Sequence, residues 1–417
     1  MIFLERVILH SDLNNFYASV ECLYHPGLRS KPIAVVGDQE ARHGIVLAKN
    51  EAAKRCGVKT GSPLWMAKQK CRDIVFVPPH HDMYMKFSKL VRDIYSEYTD
   101  QVESFGLDEC WLDVSGSASL FGSGPAIADA IRRRIRRELG LTVSIGVSYN
   151  KVFAKLGSDL KKPDATTVIR RENFKEIVWP LPVEALLYVG ASTRSRLRRC
   201  GIETIGELAH TDVTFLQSLL GKNGKALWMF ANGLDTSPVR NIGAKSLIKS
   251  IGNSTTTNRD LVSDRDVRIV LHALCESVSA RMREYGFICK TVQVGIRDSS
   301  LHWIERQGPL PIPNRTAASL FEKAYALICS NRGERPIRSL SVRASDLLLS
   351  QAEQMSFLPH ISALQKKEQL EEPVDDLRCR FGQDALRRGI MLSDTSLSDF
   401  NLSRDPISGG DIASAAP

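Results

Sequence analysis

QVESFGLDECWLDVSG, residues 101–116, reads as two short apolar strands folded back on each other with Asp108 and Glu109 between them, a hairpin with an acidic tip. Well ahead of it, RVILHSD (6–12) reads as a buried strand that ends on a third carboxylate, Asp12. Strands far apart in sequence can be neighbours in one sheet, and three carboxylates brought together that way repel one another unless they share cations. Ligands that are all oxygen suit magnesium, which keeps water and takes a substrate's phosphates as further ligands. Two such ions about 3.5–4 Å apart suit phosphoryl transfer. Plainer readings exist. An Asp-Glu pair at a turn is commonly just solvated, and Asp after a strand often caps a helix. Asp113, inside the second strand, reads as structural.

Outward from these segments the pattern is mixed. Residues 13–23 read as a helix with Phe16, Val20 and Leu23 at helical spacing. KPIAVVG (31–37) and GIVLAKN (44–50) read as strands, and Glu51–Arg55 as a helix ended by Gly57. An amphipathic helix spans 82–99, a basic one 124–139, and LTVSIGVSYN (141–150) is a strand that leads into a helix and a turn at Pro163. Strands joined by crossing helices indicate an α/β or α+β domain of about 170 residues. Residues 183–240 look helical. From about Lys245 the order is β-α-β-β-α-β, provided the weak stretch near Trp303 is the third strand. Charged helical segments occupy 361–390, and the Ser/Asp/Gly-rich end from about Ser393 reads as disordered.

At 417 residues the chain has room for two to four domains. Its formal charge of +9 favours a polyanionic partner and says nothing about fold. Residues 241–350 hold 16 Lys and Arg against 10 Asp and Glu, so most of that excess lies there. A basic sheet domain of this kind suits a salt-dependent, sequence-independent grip on a nucleic-acid backbone. No run of 18 apolar residues occurs, and the start lacks the basic n-region and small-residue cleavage site of a signal peptide. The expectation is a cytoplasmic protein without a membrane partner. Nine cysteines, an odd number without a CxxC pair, fit reduced thiols and argue against a zinc site.

Three blocks resemble the Y-family translesion DNA polymerases, notably the bacterial DNA polymerase IV group and its UmuC-like branch. They are HSDLNNFYASVE (10–21), ESFGLDECWLDVSG (103–116) and GVSYNKVFAKLGSDLKKPD (146–164), in the family's order and spacing. The resemblance implies a multidomain α+β right hand: palm at 1–25 and 76–170, fingers at 26–75, a helical thumb at 171–240, and a β-α-β-β-α-β little finger at 241–350. It implies a low-fidelity, template-directed DNA polymerase that works on primer-template DNA and dNTPs in the response to DNA damage. Two magnesium ions would be held by Asp12, Asp108, Glu109 and the backbone carbonyl of Leu13.

The same resemblance assigns further roles. Tyr17 would lie beneath the sugar, where its ring collides with a ribose 2′-hydroxyl; Phe16 beside it is counted with the nucleotide-binding residues, although it fits a packed core residue better than Tyr17 does. Lys162, before Pro163, would reach the triphosphate, and Lys151 and Lys155 would support the site or contact DNA. Many relatives carry Tyr-x-Ala-Arg in the fingers. Here the stretch is KNEAAKRCG (49–57), so Lys54 takes the place of the Arg, without its bidentate fork. Tyr84 would contact nucleotide or simply pack its helix. LLYVGASTRSRLRRCGIETIGELA (186–209) resembles a helix-hairpin-helix, with Gly190, Ser192 and Arg194 toward a DNA phosphate and Ser192 where a second Gly is usual. Gln354, Met355, Phe357 and Leu358 resemble the peptide that bacterial polymerases dock into the sliding clamp. Residues 351–360 form that peptide, and 361–417 the charged helical extension and tail. The expected enzyme is monomeric. Its rivals are a catalytically silent DNA- and clamp-binding accessory protein, against which the intact acidic triad argues, and another palm-type nucleotidyl transferase such as a nucleotide cyclase.

Overall fold

The computed structural model describes residues 6–38, 44–244, 247–350 and 359–399. They fall into two compact units, one from Met1–Gly37 with Ile45–Lys245, the other built on Ser246–Ala413.

The first unit is organised by a five-stranded sheet whose middle strand is β1 (Ile8–Leu13). The order is β5 (Val102–Ser104), β6 (Glu109–Asp113), β1, β7 (Val143–Ser148), β8 (Thr166–Val168). β6 and β7 run antiparallel on either side of β1, so every residue of β1 is buried. Side chains along a strand alternate between faces. Leu9 and Leu13 pack against Phe16 and Val20 of α1 (Phe16–Tyr24), Val91 and Ile94 of α4 (His81–Ser96), and Ile127 and Ile131 of α6 (Gly124–Arg134). His10 turns to the other face and meets Ser158 of α7 (Lys151–Leu160). α7 lies unusually close to the sheet there. A Cβ on Gly146 would sit 1.9 Å from the carbonyl oxygen of Ala154, so only glycine allows the approach.

A smaller sheet, β3 (Val46–Lys49), β2 (Ile33–Val36), β4 (Val75–Val77), carries α2 (Glu51–Arg55) and α3 (Leu64–Lys70) around its own core of Ala34, Val46, Ala53, Leu64 and Ala67. The short α5 (Ala118–Phe121) precedes α6, and a single π turn, Ile135–Leu139, follows it. Beyond β8 the chain is helical: α8 (Phe174–Val178), α9 (Ala191–Arg199), α10 (Ile205–His210), α11 (Val213–Leu220) and α12 (Lys222–Ala231) enclose Leu197, Ile205, Leu208, Leu216 and Leu227.

The second unit has the β-α-β-β-α-β order: β9 (Ser250–Leu261), α13 (Asp264–Glu284), β10 (Phe287–Asp298), β11 (Trp303–Asn314), α14 (Ala317–Asn331), β12 (Ile337–Leu349), with the strands arranged β11-β10-β12-β9. The weak stretch near Trp303 is indeed a strand. Pro309, Pro311 and Pro313 cannot donate to a ladder, and β11 bonds only β10, as an edge strand must. α15 (Pro359–Phe381) follows. Glu371 and Asp375 hold Arg283, Glu368 and Glu372 hold Arg315, and Arg378 holds Glu276, binding α15 to the sheet domain. Disorder from Ser393 is corrected in part. Residues 393–399 include α16 (Thr395–Ser398), whose Leu397 is 1% exposed in the same core as Val267 and Leu271. One buried apolar anchor and the Arg259–Asp394 pair at 2.8 Å order a segment whose composition alone suggested none.

Candidate active site

β1 and β6 are in register such that Asp12 lies directly opposite Glu109. The turn before β6 is fixed by the Leu13 amide, which donates to the Asp108 carbonyl at 3.0 Å. Asp12, Asp108 and Glu109 are therefore all carried at one end of the central strands. Leu13 buries its side chain in the core at the same place.

Their charges are met by two lysines, Lys155 in the middle of α7 and Lys162 in the turn beyond its end. Lys162 Nζ donates to Asp12 Oδ2 at 2.7 Å and to Asp159 Oδ1 at 2.8 Å. Lys155 Nζ donates to Glu109. Burial pushes the Asp12 carboxyl up to about 7, with Lys162 opposing and Glu109 and Asp159 adding to the rise. Burial, with Glu109 next, also raises Asp108. Burial works against the charge of Glu109 as well, but His10 and Lys155 outweigh it and hold that carboxyl down at about 2. The ring of His10 is fully buried and its pKa drops to about 4, so it is neutral at pH 7. Its Nδ1 lies 2.9 Å from Ser158 Oγ and its Nε2 3.4 Å from Glu109.

Among the described residues no group of three His, Cys, Asp or Glu side chains is spaced to hold a metal ion. The donor chemistry nevertheless suits hard divalent cations. Clustered carboxylates and nearby carbonyls are oxygen donors, and the two ammonium groups stand where positive charge is wanted.

Tyr17 lies on α1, half-buried, its ring stacked on Tyr84 at 4.0 Å between centroids and 10° between planes. Phe16 is 3% exposed, a core residue. Tyr84 is wholly buried and donates its hydroxyl to the buried carboxylate of Glu21, which also meets His80 Nδ1 at 2.9 Å. Tyr84 has no exposed surface and its hydroxyl is used by Glu21, so it packs behind Tyr17, in keeping with the helix-packing alternative of the sequence reading. Lys54, on α2, is half exposed and 3.6 Å from Glu51. Asn15, beside the acidic end of β1, donates to that same Glu51 at 3.1 Å, so α2 borders the site.

Gly190 is the extended residue at the start of α9, and a Cβ there would meet nothing within 4 Å. Ser192 lies in the first turn of α9, and Arg194 sits 3.7 Å from Glu184. Asp113 accepts from the amide and hydroxyl of Ser115, as a structural carboxylate should. Gln354, Met355, Phe357 and Leu358 lie outside the described residues.

Two neighbours of the cluster escaped the sequence reading. His10 was detectable, since it stands two residues before Asp12 on a strand and so shares its face. Asp159 was detectable only with Lys162 already in view, because its role depends on how α7 ends.

The chain matches the model of the impB/mucB/samB family over residues 11–159, that family's C-terminal domain over 248–357, and a model described as DNA polymerase-iota, thumb domain, over 186–235. A DNA polymerase IV of Acetivibrio thermocellus is 55% identical over 397 residues, 95% of this chain and all of that one. A DNA polymerase IV of Moorella thermoacetica is 35% identical, covering 94% and 98%. In structure, a Y-family DNA polymerase chimera superposes with a TM-score of 0.72 at 23% identity, covering 82% of this chain and 99% of the other, a likeness of fold. With matches along almost its whole length and acidic strand ends that meet as described, the chain belongs to the Y-family of DNA polymerases, among the DNA polymerase IV proteins.

Proposed function

We propose that this chain is a translesion DNA polymerase in which Asp12, Asp108 and Glu109, with the Leu13 carbonyl, hold two magnesium ions during transfer of a nucleotide from dNTP to a primer 3′-hydroxyl. The observation that carries the reading is the register of β1 and β6, which sets Asp12 opposite Glu109 with Asp108 beside them. Two bound ions would supply an activated 3′-oxygen and a stabilised leaving pyrophosphate. The protein's own groups do the rest. Lys162 presents a point cation to the triphosphate once it leaves Asp12, offsetting charge that grows as pyrophosphate departs. Tyr17, braced by Tyr84, sets its ring under the sugar and rejects a 2′-hydroxyl by collision. Lys54 adds a second cation from the fingers. The start of α9, around Gly190 and Ser192, would face a backbone phosphate of the DNA, with the Arg194 guanidinium as a neighbouring cation.

Four further parts of the proposal rest on the sequence: docking of Gln354, Met355, Phe357 and Leu358 into a sliding clamp, a monomeric state, a cytoplasmic location, and service in the DNA damage (SOS) response. No helix among the described residues is long and apolar enough to cross a membrane. A silent accessory protein is the less favoured alternative, because all three carboxylates are present at one end of the central strands. Primer extension on intact and damaged templates, with dNTPs and magnesium, tests the proposal. Extension that needs template and metal supports it, and DNA binding without extension overturns it.

A further inference from the structure

The reach of Lys162 into the carboxylate cluster depends on the turn that carries it, and that turn is held by side chains distant from it in sequence. Asp164, two residues on, has a left-handed backbone with φ of 52°. A non-glycine residue keeps that conformation only when surrounding bonds favour it, although Asp tolerates it better than most. Two side chains supply those bonds. Asn14, 5% exposed, accepts from the Asp164 amide at 2.8 Å and donates to Ser144 Oγ at 3.0 Å, so it ties the turn to β7. Arg132 of α6 donates to the Asp164 backbone carbonyl and, from Nε and Nη2, to Asp164 Oδ1 at 3.2 and 3.0 Å. The same guanidinium is itself anchored by Asp129 at 2.9 Å and Thr166 at 3.3 Å. Arg136 adds a bond to the other carboxylate oxygen of Asp164 at 3.1 Å. Amide, carbonyl and carboxylate of one residue are all held, and the Lys162 ammonium then falls 2.7 Å from Asp12.

We infer that Asn14 and Arg132 are positioning residues for the triphosphate-binding lysine: by clamping Asp164 they fix the turn that aims Lys162 at the catalytic carboxylates. This rests on the reading of Lys162 as a triphosphate contact. It gives a function to a basic helix that otherwise looks like a solvated charged face, and to an asparagine within the first motif. Neither residue touches the reacting atoms. An arginine suits the task because its planar fork grips carbonyl and carboxylate together, which lysine cannot do.

The test is a double-mutant cycle read by single-nucleotide incorporation. Arg132→Ala should lower kcat/KM for dNTP about tenfold, with the affinity for primer-template DNA and the thermal midpoint nearly unchanged. Asp164→Gly, which accepts the backbone but removes the carboxylate, should act in the same direction, and Asp164→Asn, which keeps the acceptor oxygen, should restore most of the activity. In a Lys162→Ala background, Arg132→Ala should have no further effect within about twofold. Losses that multiply instead would overturn the inference, since Arg132 would then act on activity independently of Lys162. If Lys162→Ala alone leaves kcat/KM unchanged, the reading of Lys162 has failed and the positioning is judged by labelling. An amine-reactive reagent followed by peptide mass spectrometry should modify Lys162 severalfold faster in Arg132→Ala and in Asn14→Ala than in the parent. Equal labelling rates would reject the positioning role whatever Lys162 does.

Discussion

Asp12 and Glu109 face each other across a single step of antiparallel register, so the backbone that carries each carboxylate is held by the strand ladder, and Lys162, Lys155 and His10 bind only the side chains. Removing one should therefore leave the fold and the grip on DNA intact. Asp108→Ala or Glu109→Ala should abolish primer extension while a binding assay shows DNA affinity within a few-fold of the parent; near-normal extension by either variant would sink the metal-site proposal. Tyr17 differs in kind, because the role proposed for its ring is to occupy space. It stacks face to face on Tyr84, whose hydroxyl is fixed by Glu21, so the ring cannot easily swing aside. Tyr17→Ala should admit ribonucleotides with little loss of deoxyribonucleotide use. Competition between dNTP and rNTP in one reaction reads this directly, and an unchanged preference moves the gate to another residue.

Among the elements, α13 shows how local chemistry and tertiary contacts reinforce each other. Ser263 and Asp266 form a reciprocal capping box at its start, and Asp266 also takes Arg259 through two bonds of 2.8 and 3.0 Å. The Arg259 hydrogen bonds, against a smaller opposing effect of burial, hold the Asp266 carboxyl well below the ordinary aspartate value. A carboxyl depressed in the folded state contributes stability above its unfolded pKa of about 4, and the contribution fades as pH falls below that. Asp266→Asn should cost about 1–2 kcal/mol at pH 7, as lost caps do. Hydrogen exchange along α13 should show the loss at pH 7 and a shrinking difference between variant and parent toward pH 3. A difference that stays constant with pH would mean that the charge of Asp266 contributes nothing.

For the whole molecule, the proposed clamp peptide lies between two anchored elements, since β12 ends at Leu349 and α15 begins at Pro359 in the same compact unit. Replacing Gln354, Phe357 and Leu358 together by Ala should remove both amide hydrogen bonds and apolar anchors. Fully burying one Phe or Leu is worth about 1.5–3 kcal/mol, so clamp binding should fall at least about tenfold. The proposed catalytic carboxylates belong to the other unit, so distributive extension without clamp should hardly change. Stimulation of long synthesis by clamp should disappear with the tether. Surface plasmon resonance and processivity assays read the two effects separately; a variant that still binds and responds normally returns these residues to the status of a linker.

The sequence by itself determined the secondary structure that builds the site. The apolar run before Asp12, the paired strands around Asp108 and Glu109, and the β-α-β-β-α-β order depend on periodicity and turn chemistry, which are local. β4 and β8 were not legible. Each has three residues and joins its sheet only by parallel pairing with β2 and β7, so a partner distant in the chain makes it a strand. Composition likewise gave no warning that Leu397 would find a buried seat, because that seat is assembled from α13 and β9. Tertiary structure alone decided which candidate aromatics are buried and which keep some exposure. Phe16 and Tyr17 are neighbours on one helix, and Tyr84 shares the spacing of a core helix, yet Tyr17 stays half-buried while Phe16 is enclosed in the core and Tyr84, on α4, is buried against Phe16 and Tyr17 of α1. It also decided the state of the charges. Asp12, Asp108 and Glu109 are alike as residues in water, and their acidities diverge because burial acts on all three while Lys162, Lys155 and His10 reach only some of them.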